Sequence, residues 1–75
     1  QLAFLFKREG VTVTSVATAA GVDVSVASRW KSGTRVARWH HICRLYARGL
    51  LTEDDLRAGG LAIPRASDLA DAKVA

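Results

Sequence analysis

The chain has 75 residues, 49% of them apolar, with one Pro and a formal net charge of +4, which describes one small folded domain rather than a disordered tail. No run of about 18 uncharged apolar residues occurs, so no transmembrane helix and no membrane partner are expected. The apolar opening QLAFLFKRE is short, ends in charge and lacks a small-residue cleavage site, so no signal peptide is expected either. With Cys43 as the single cysteine there is no internal disulfide, which fits a reducing cytoplasm. Met is absent, so chain upstream of Gln1 is expected. A domain this short buries only about 60% of its unfolded surface, and a partner chain can add to its stability.

In chain order, the first predicted helix is Leu2–Glu9, with Leu2, Leu5 and Phe6 on one face and Gly10 as its stop. Phe4 falls off that face, to complete the core or to enter a chain-to-chain contact. Thr12 is the expected N-cap of the next helix, with Thr14 and Ser15 in its first turn. The β-branched run VTVTSV also permits a strand, but the alanines and Gly21 beyond it fit only a helical register. Val16, Ala17 and Ala20 keep helical spacing, Gly21 can take the left-handed conformation that ends the helix, and Asp23 can cap the one after it. Small side chains at Ala17, Ala20 and Ala27 let two short helices approach closely. The expected inward set is Val16, Ala20, Val22, Ala27 and Trp30, which leaves Val24, Ser25, Ser28, Arg29 and Ser32 outward, and Val26 pointing away from the core.

After a loop at Thr34 and Arg35, a helix is predicted over Val36–Arg48, with Trp39, Ile42, Leu45 and Tyr46 along its inner side and Gly49 at its end. Both Trp30 and Trp39 are expected in the core. The segment LLTEDDL reads as another helix start: Thr52 caps, Asp55 reciprocates, Leu51 staples to Leu56, and Glu53, Asp54 and Asp55 suit the positive end of the helix dipole. Gly59-Gly60 closes it. Pro64 rules out a continuous helix through the remaining segment LAIPRASDLADAKVA. Ser67 is the expected cap of a last short helix over Asp68–Val74, and residues 61–75 are read as a flexible or partner-binding tail beyond a 1–60 domain.

Residues Val13 to Gly33, VTSVATAAGVDVSVASRWKSG, resemble the helix-turn-helix of the small phage-repressor or Cro-like regulators, through the frame Ala17, Gly21, Ala27 and Trp30 with Val16, Ala20 and Val22 between. The resemblance implies an all-α, lambda-repressor-like bundle of four to five short helices, a recognition helix over about residues 24–32 in the major groove, and a homodimer on a two-fold operator. Carried over, it makes Val24, Ser25, Ser28 and Arg29 the base-contacting set. Thr12, Thr14, Ser15, Lys31, Ser32, Arg35 and Arg38 are then the phosphate-contacting set. Two positions depart from the family pattern: Val13 stands where a polar residue is common, which removes one phosphate contact, and Val24 favours a thymine methyl over a polar base edge.

Charge divides along the chain in the same way. Residues 1–50 carry eight Lys or Arg against two acids, a net +6, and residues 51–75 carry three against five, a net −2. The positive excess therefore accompanies the helix-turn-helix and supplies attraction to phosphate. Chemistry is poorly provided for. His40 and Cys43 lie one turn apart, but a structural zinc site takes about four ligands, and no orienting third residue, phosphate loop or carboxylate pair accompanies a thiol nucleophile. No enzyme, metal or cofactor is expected. The sequence thus reads as a cytoplasmic, nucleoid-associated DNA-binding regulator, a repressor of phage or bacterial type that binds double-stranded DNA. The alternative is a helix-turn-helix interaction module, an antitoxin, phage assembly or adaptor protein, gripping a protein partner through Val24, Val26 and Phe4 or through the C-terminal tail.

Overall fold

Thr12, Asp23 and Thr52 each stand in extended backbone immediately before a helix, and each side chain accepts a hydrogen bond from an amide of the next turn. These caps fix where the central elements start. The structure is a computed structural model that describes residues 2–74, with side chains described through Ala70. A 3-10 turn at Ala3–Lys7 is succeeded by five helices: α1 at Val13–Ala20, α2 at Val24–Ser32, α3 at Trp39–Ala47, α4 at Glu53–Ala58 and α5 at Ala66–Val74. The fold class is all-helical, with no strand among the described residues. Helices α1 and α2 pack on each other, α3 packs on α1 and α5, and the opening turn packs on α2. The radius of gyration is 11.4 Å, that of a folded chain of this length.

The core is drawn from every part of the chain through α4. Leu2, Leu5, Val16, Ala17, Ala20, Ala27, Trp30, Ala37, Ile42, Leu45, Leu51 and Leu56 form one buried cluster. The expected inward set holds at Val16, Ala20, Ala27 and Trp30, with Val22 half-buried against the same cluster. Between α1 and α2 the chain reverses at Gly21, whose φ of 71° lies in the left-handed region. The amides of Gly21 and Val22 return to the carbonyls of Thr18 and Ala17 at 3.3 and 3.0 Å, the Schellman arrangement. Arg44 of α3 secures this turn from outside, its Nη1 donating to the Ala20 carbonyl at 3.1 Å.

Several elements differ from the sequence expectation. The opening segment is a 3-10 turn shorter than Leu2–Glu9, because Leu2 and Leu5, three residues apart, share a face at three residues per turn and both are fully buried. Phe6 is half-buried and Phe4 is 37% exposed, under the Arg8 guanidinium 5.2 Å from its ring centre. The third helix begins at Trp39, three residues later than Val36. Residues Val36 to Arg38 are spent on an irregular connector that plugs Ala37 into the core. The inner face of α3 is Ile42, Cys43 and Leu45, with Tyr46 half-buried; Trp39 stands 39% exposed at the first helical position instead of in the core. The ring against Trp30 is that of His41, with centroids 5.4 Å apart.

Val26 is likewise half-buried against the core cluster and does not point away from it. The last helix begins before Ser67, at Ala66, and the group that closes its start is the Asp68 carboxylate, accepting from the Arg65 amide at 3.0 Å. Residues 61–75 therefore include a helix that packs back on α3. Ala75 lies outside the described residues. Among those residues, no helix is long and apolar enough to cross a membrane.

Candidate nucleic-acid interface

Helix α2 is two-sided for a local reason. Ala27 and Trp30, three residues apart, turn inward and are fully buried, and this leaves Val24, Ser25, Ser28, Arg29 and Ser32 on the opposite, exposed side. The base-contacting set expected from the sequence is thus held together on one solvent face of one rigid helix, with Val24 47% exposed. Asp23 anchors the head of that helix. Its carboxylate accepts from the Ser25 amide at 3.1 Å and from the Ser25 hydroxyl at 2.6 Å. The hydroxyl bond, and after it the amide bond, holds the Asp23 carboxyl below its ordinary pKa.

Hydroxyl protons decide what the remaining polar residues can offer a phosphate. Ser15 gives its proton to the Thr12 carbonyl at 2.9 Å while its oxygen accepts the Thr12 amide at 3.0 Å. Thr12 Oγ1 only accepts, from the Ser15 amide at 3.0 Å, so its proton is free to donate outward, as is that of exposed Thr14. Ser25 is committed to Asp23. Ser32 donates to the Arg29 carbonyl at 3.1 Å and lies 3.0 Å from the Thr34 hydroxyl. Of the serines and threonines expected at DNA, Thr12, Thr14 and Ser28 keep their donors. Ser15, Ser25 and Ser32 hold theirs inside the chain and offer acceptor lone pairs.

The cations divide in the same way. Arg8 pairs with Asp55, and Arg57 pairs with Glu53 at 3.2 Å and Asp54 at 3.8 Å. No ion pair among the described residues takes up Arg29, Lys31, Arg35 or Arg38, all of them exposed. From Val24 to Thr52 there is no Asp or Glu, against six Lys or Arg.

His41 reports how closely the basic groups gather. Its imidazole is pushed below its ordinary pKa first by burial, then by the charges of His40, Arg44, Arg38 and Arg35. Both connector arginines therefore act on the first turn of α3, where the His40 and His41 rings lie 3.9 Å apart. His41 is half-buried, and its Nδ1 has no hydrogen-bond partner, nor does Nε1 of Trp30.

Sequence reasoning missed two things here. The arginine that braces the α1–α2 turn is Arg44, and the signal was its basic charge between the inward residues Cys43 and Leu45, with no indication of direction. The exposed indole is Trp39, and the only signal was its place directly after Arg38 in a run of basic residues. Cys43 faces inward at 3% exposure, with burial and then Asp68 raising its thiol pKa, so it is held as a neutral thiol. Among the described residues no three His, Cys, Asp or Glu side chains converge on a point where a metal ion could sit. Set against protein-family models, curated proteins and solved structures, the chain matches none of them.

Proposed function

We propose that this protein binds double-stranded DNA sequence-specifically through α2, as a transcriptional regulator of the phage or bacterial repressor type, with α1 and α2 serving as a lambda-repressor-like helix-turn-helix. The observation that carries the reading is the composition of the free side of α2. Val24, Ser28 and Arg29 are exposed and uncommitted on a helix locked from behind by Ala27 and Trp30, within a segment that has no acidic side chain. Such a helix fits the width of the major groove, Arg29 matches the paired acceptors of guanine, and Val24 suits a thymine methyl. Thr12 and Thr14 at the head of α1, with Lys31, Arg35 and Arg38, supply backbone contacts that fix register without reading sequence. The reading includes a homodimer on a two-fold site, a cytoplasmic and nucleoid-associated location, and a role in binding rather than catalysis.

The adaptor reading keeps Phe4 and Val24 as exposed apolar residues but loses Val26, which packs against the core. Selection of bound sequences from random duplexes tests the DNA reading directly. Binding should fall with salt on a linear log–log plot, and a single preferred site should emerge. Arg29→Ala should cost roughly 1–3 kcal/mol on that site and relax preference at one base pair, whereas Arg35→Ala should weaken all duplexes alike. Equal losses with unchanged preference would take Arg29 out of the groove.

A further inference from the structure

Between α2 and α3 the sequence TRVARWHH leaves two large apolar side chains partly open to solvent among cations. Val36 is 69% exposed and Trp39 is 39% exposed. Arg35, Arg38 and His40 are exposed beside them. Folding covers the rest of Trp39 but leaves this part of the indole and most of Val36 open, while Trp30 and Ala37 fill the neighbouring core. No described group of the chain accepts a hydrogen bond from the Trp39 indole or an ion pair from Arg35 or Arg38. An exposed aromatic with a free N–H, flanked by guanidinium groups, suits a partner that is anionic and carries apolar surface close to its charges.

Resting on the DNA reading above, we propose that Val36 and Trp39, with Arg35 and Arg38, form a second contact surface that packs on the deoxyribose-phosphate backbone outside the bases read by α2. Arg35 and Arg38 bind consecutive phosphates. Val36 and the Trp39 ring cover the sugar faces between them, and the indole N–H donates to a phosphate oxygen. Charge decides against a second copy as the occupant, because an isologous contact would set Arg35 and Arg38 against the same residues of the partner. Continuity decides against a separate acidic protein. The patch begins at Arg35, just beyond Gly33 and Thr34 at the end of α2, close enough along the chain for a duplex engaged by α2 to offer it phosphates of its own.

The two tryptophans make the test selective. Trp30 is 1% exposed, so a neutral quencher such as acrylamide reads Trp39 in the unmutated protein. A duplex carrying the selected site should protect Trp39 strongly from quenching, and poly-glutamate at equal ionic strength should leave it accessible. Trp39→Ala should weaken duplex binding by about five- to tenfold, as expected of one lost aromatic contact, with sequence preference and salt slope unchanged. Arg35→Ala and Arg38→Ala should each lower the salt slope by about one. Salt-dependent, sequence-selective binding with Trp39 as quenchable as before overturns the second surface and leaves the reading of α2 intact. Protection by poly-glutamate but not by duplex assigns the patch to an acidic protein, and protection that rises with protein concentration alone assigns it to a second copy; either overturns the proposal. Absence of any duplex binding removes both readings together.

Discussion

Two charged regions of this molecule are built on opposite terms. Where the opening turn meets α4, most of the charge is paired within the chain, Lys7 and Glu9 apart: Arg8 pairs with Asp55, Asp55 also accepts the Thr52 amide at 2.9 Å, and Arg57 is shared by Glu53 and Asp54. Across α2, the connector and the start of α3, the cations Arg29, Lys31, Arg35 and Arg38 form no ion pair among the described residues, and Arg38, at the N-cap of α3, makes no side-chain cap. The first region uses charge to hold the fold together. The second carries charge that no ion pair of the fold takes up, and that charge is left to attract anions from solution.

The largest effect should come from separating core from face within the basic region. Trp30→Ala empties a fully buried site and should cost about 3–5 kcal/mol, enough to unfold most of a domain this small. Trp39→Ala, at the rim and partly covered, should cost less, about 1–2 kcal/mol. Urea titrations of the two variants check the contrast. A Trp39→Ala loss as large as that of Trp30→Ala would return Trp39 to the core and erase the distinction between the regions.

Local rules were enough for much of this architecture. The caps at Thr12, Asp23 and Thr52, the turn at Gly21, and the two-sided character of α2 arise from residues within one or two turns of each other, and all were legible. What escaped depended on partners far along the chain. Trp39 looks like core from its spacing to Ile42, but the connector places Ala37 inside first and starts the helix late. His41 occupies the space beside Trp30 only because α3 is set in that register. The Arg44 brace and the Arg8–Asp55 pair join residues 24 and 47 positions apart, beyond the reach of any periodicity. The candidate site was the more legible part, because its exposed residues are simply the far side of a helix whose near side the alanines and Trp30 fix.

On the paired side, Asp55→Asn should destabilise the fold by about 1–2 kcal/mol, since it weakens the reciprocal cap and removes the ion pair with Arg8, which is itself partly screened by solvent. The Arg8 hydrogen bond is the main reason the Asp55 carboxyl is held down to about 2, from 3.8. A carboxyl depressed in the folded state stabilises above its unfolded pKa and loses that contribution as pH falls toward the folded one. Wild-type stability should therefore drop between about pH 4 and pH 2, and Asp55→Asn should remove part of that drop. An equal drop in both proteins would place the acid sensitivity elsewhere and leave α4 no better anchored than α3.

The smallest effect belongs to His41, and it has its own window. Burial and the surrounding His40, Arg44, Arg38 and Arg35 disfavour its charged form, so the unfolded chain takes up this proton before the folded chain does. Stability contributed by the neutral ring is complete above pH 6.5 and declines as pH falls below it, well before Asp55 begins to titrate. His41→Phe keeps a ring against Trp30 and removes the titration, so the urea midpoint should fall less between about pH 7 and pH 5 in the variant than in wild type. Neutralising two of the repelling cations should blunt the same decline, and Arg35→Gln with Arg38→Gln is the variant that does so without touching the ring. If that double variant declines as steeply as wild type, the connector arginines do not bear on the first turn of α3, and the basic region is no more crowded with like charge than the rest of the surface.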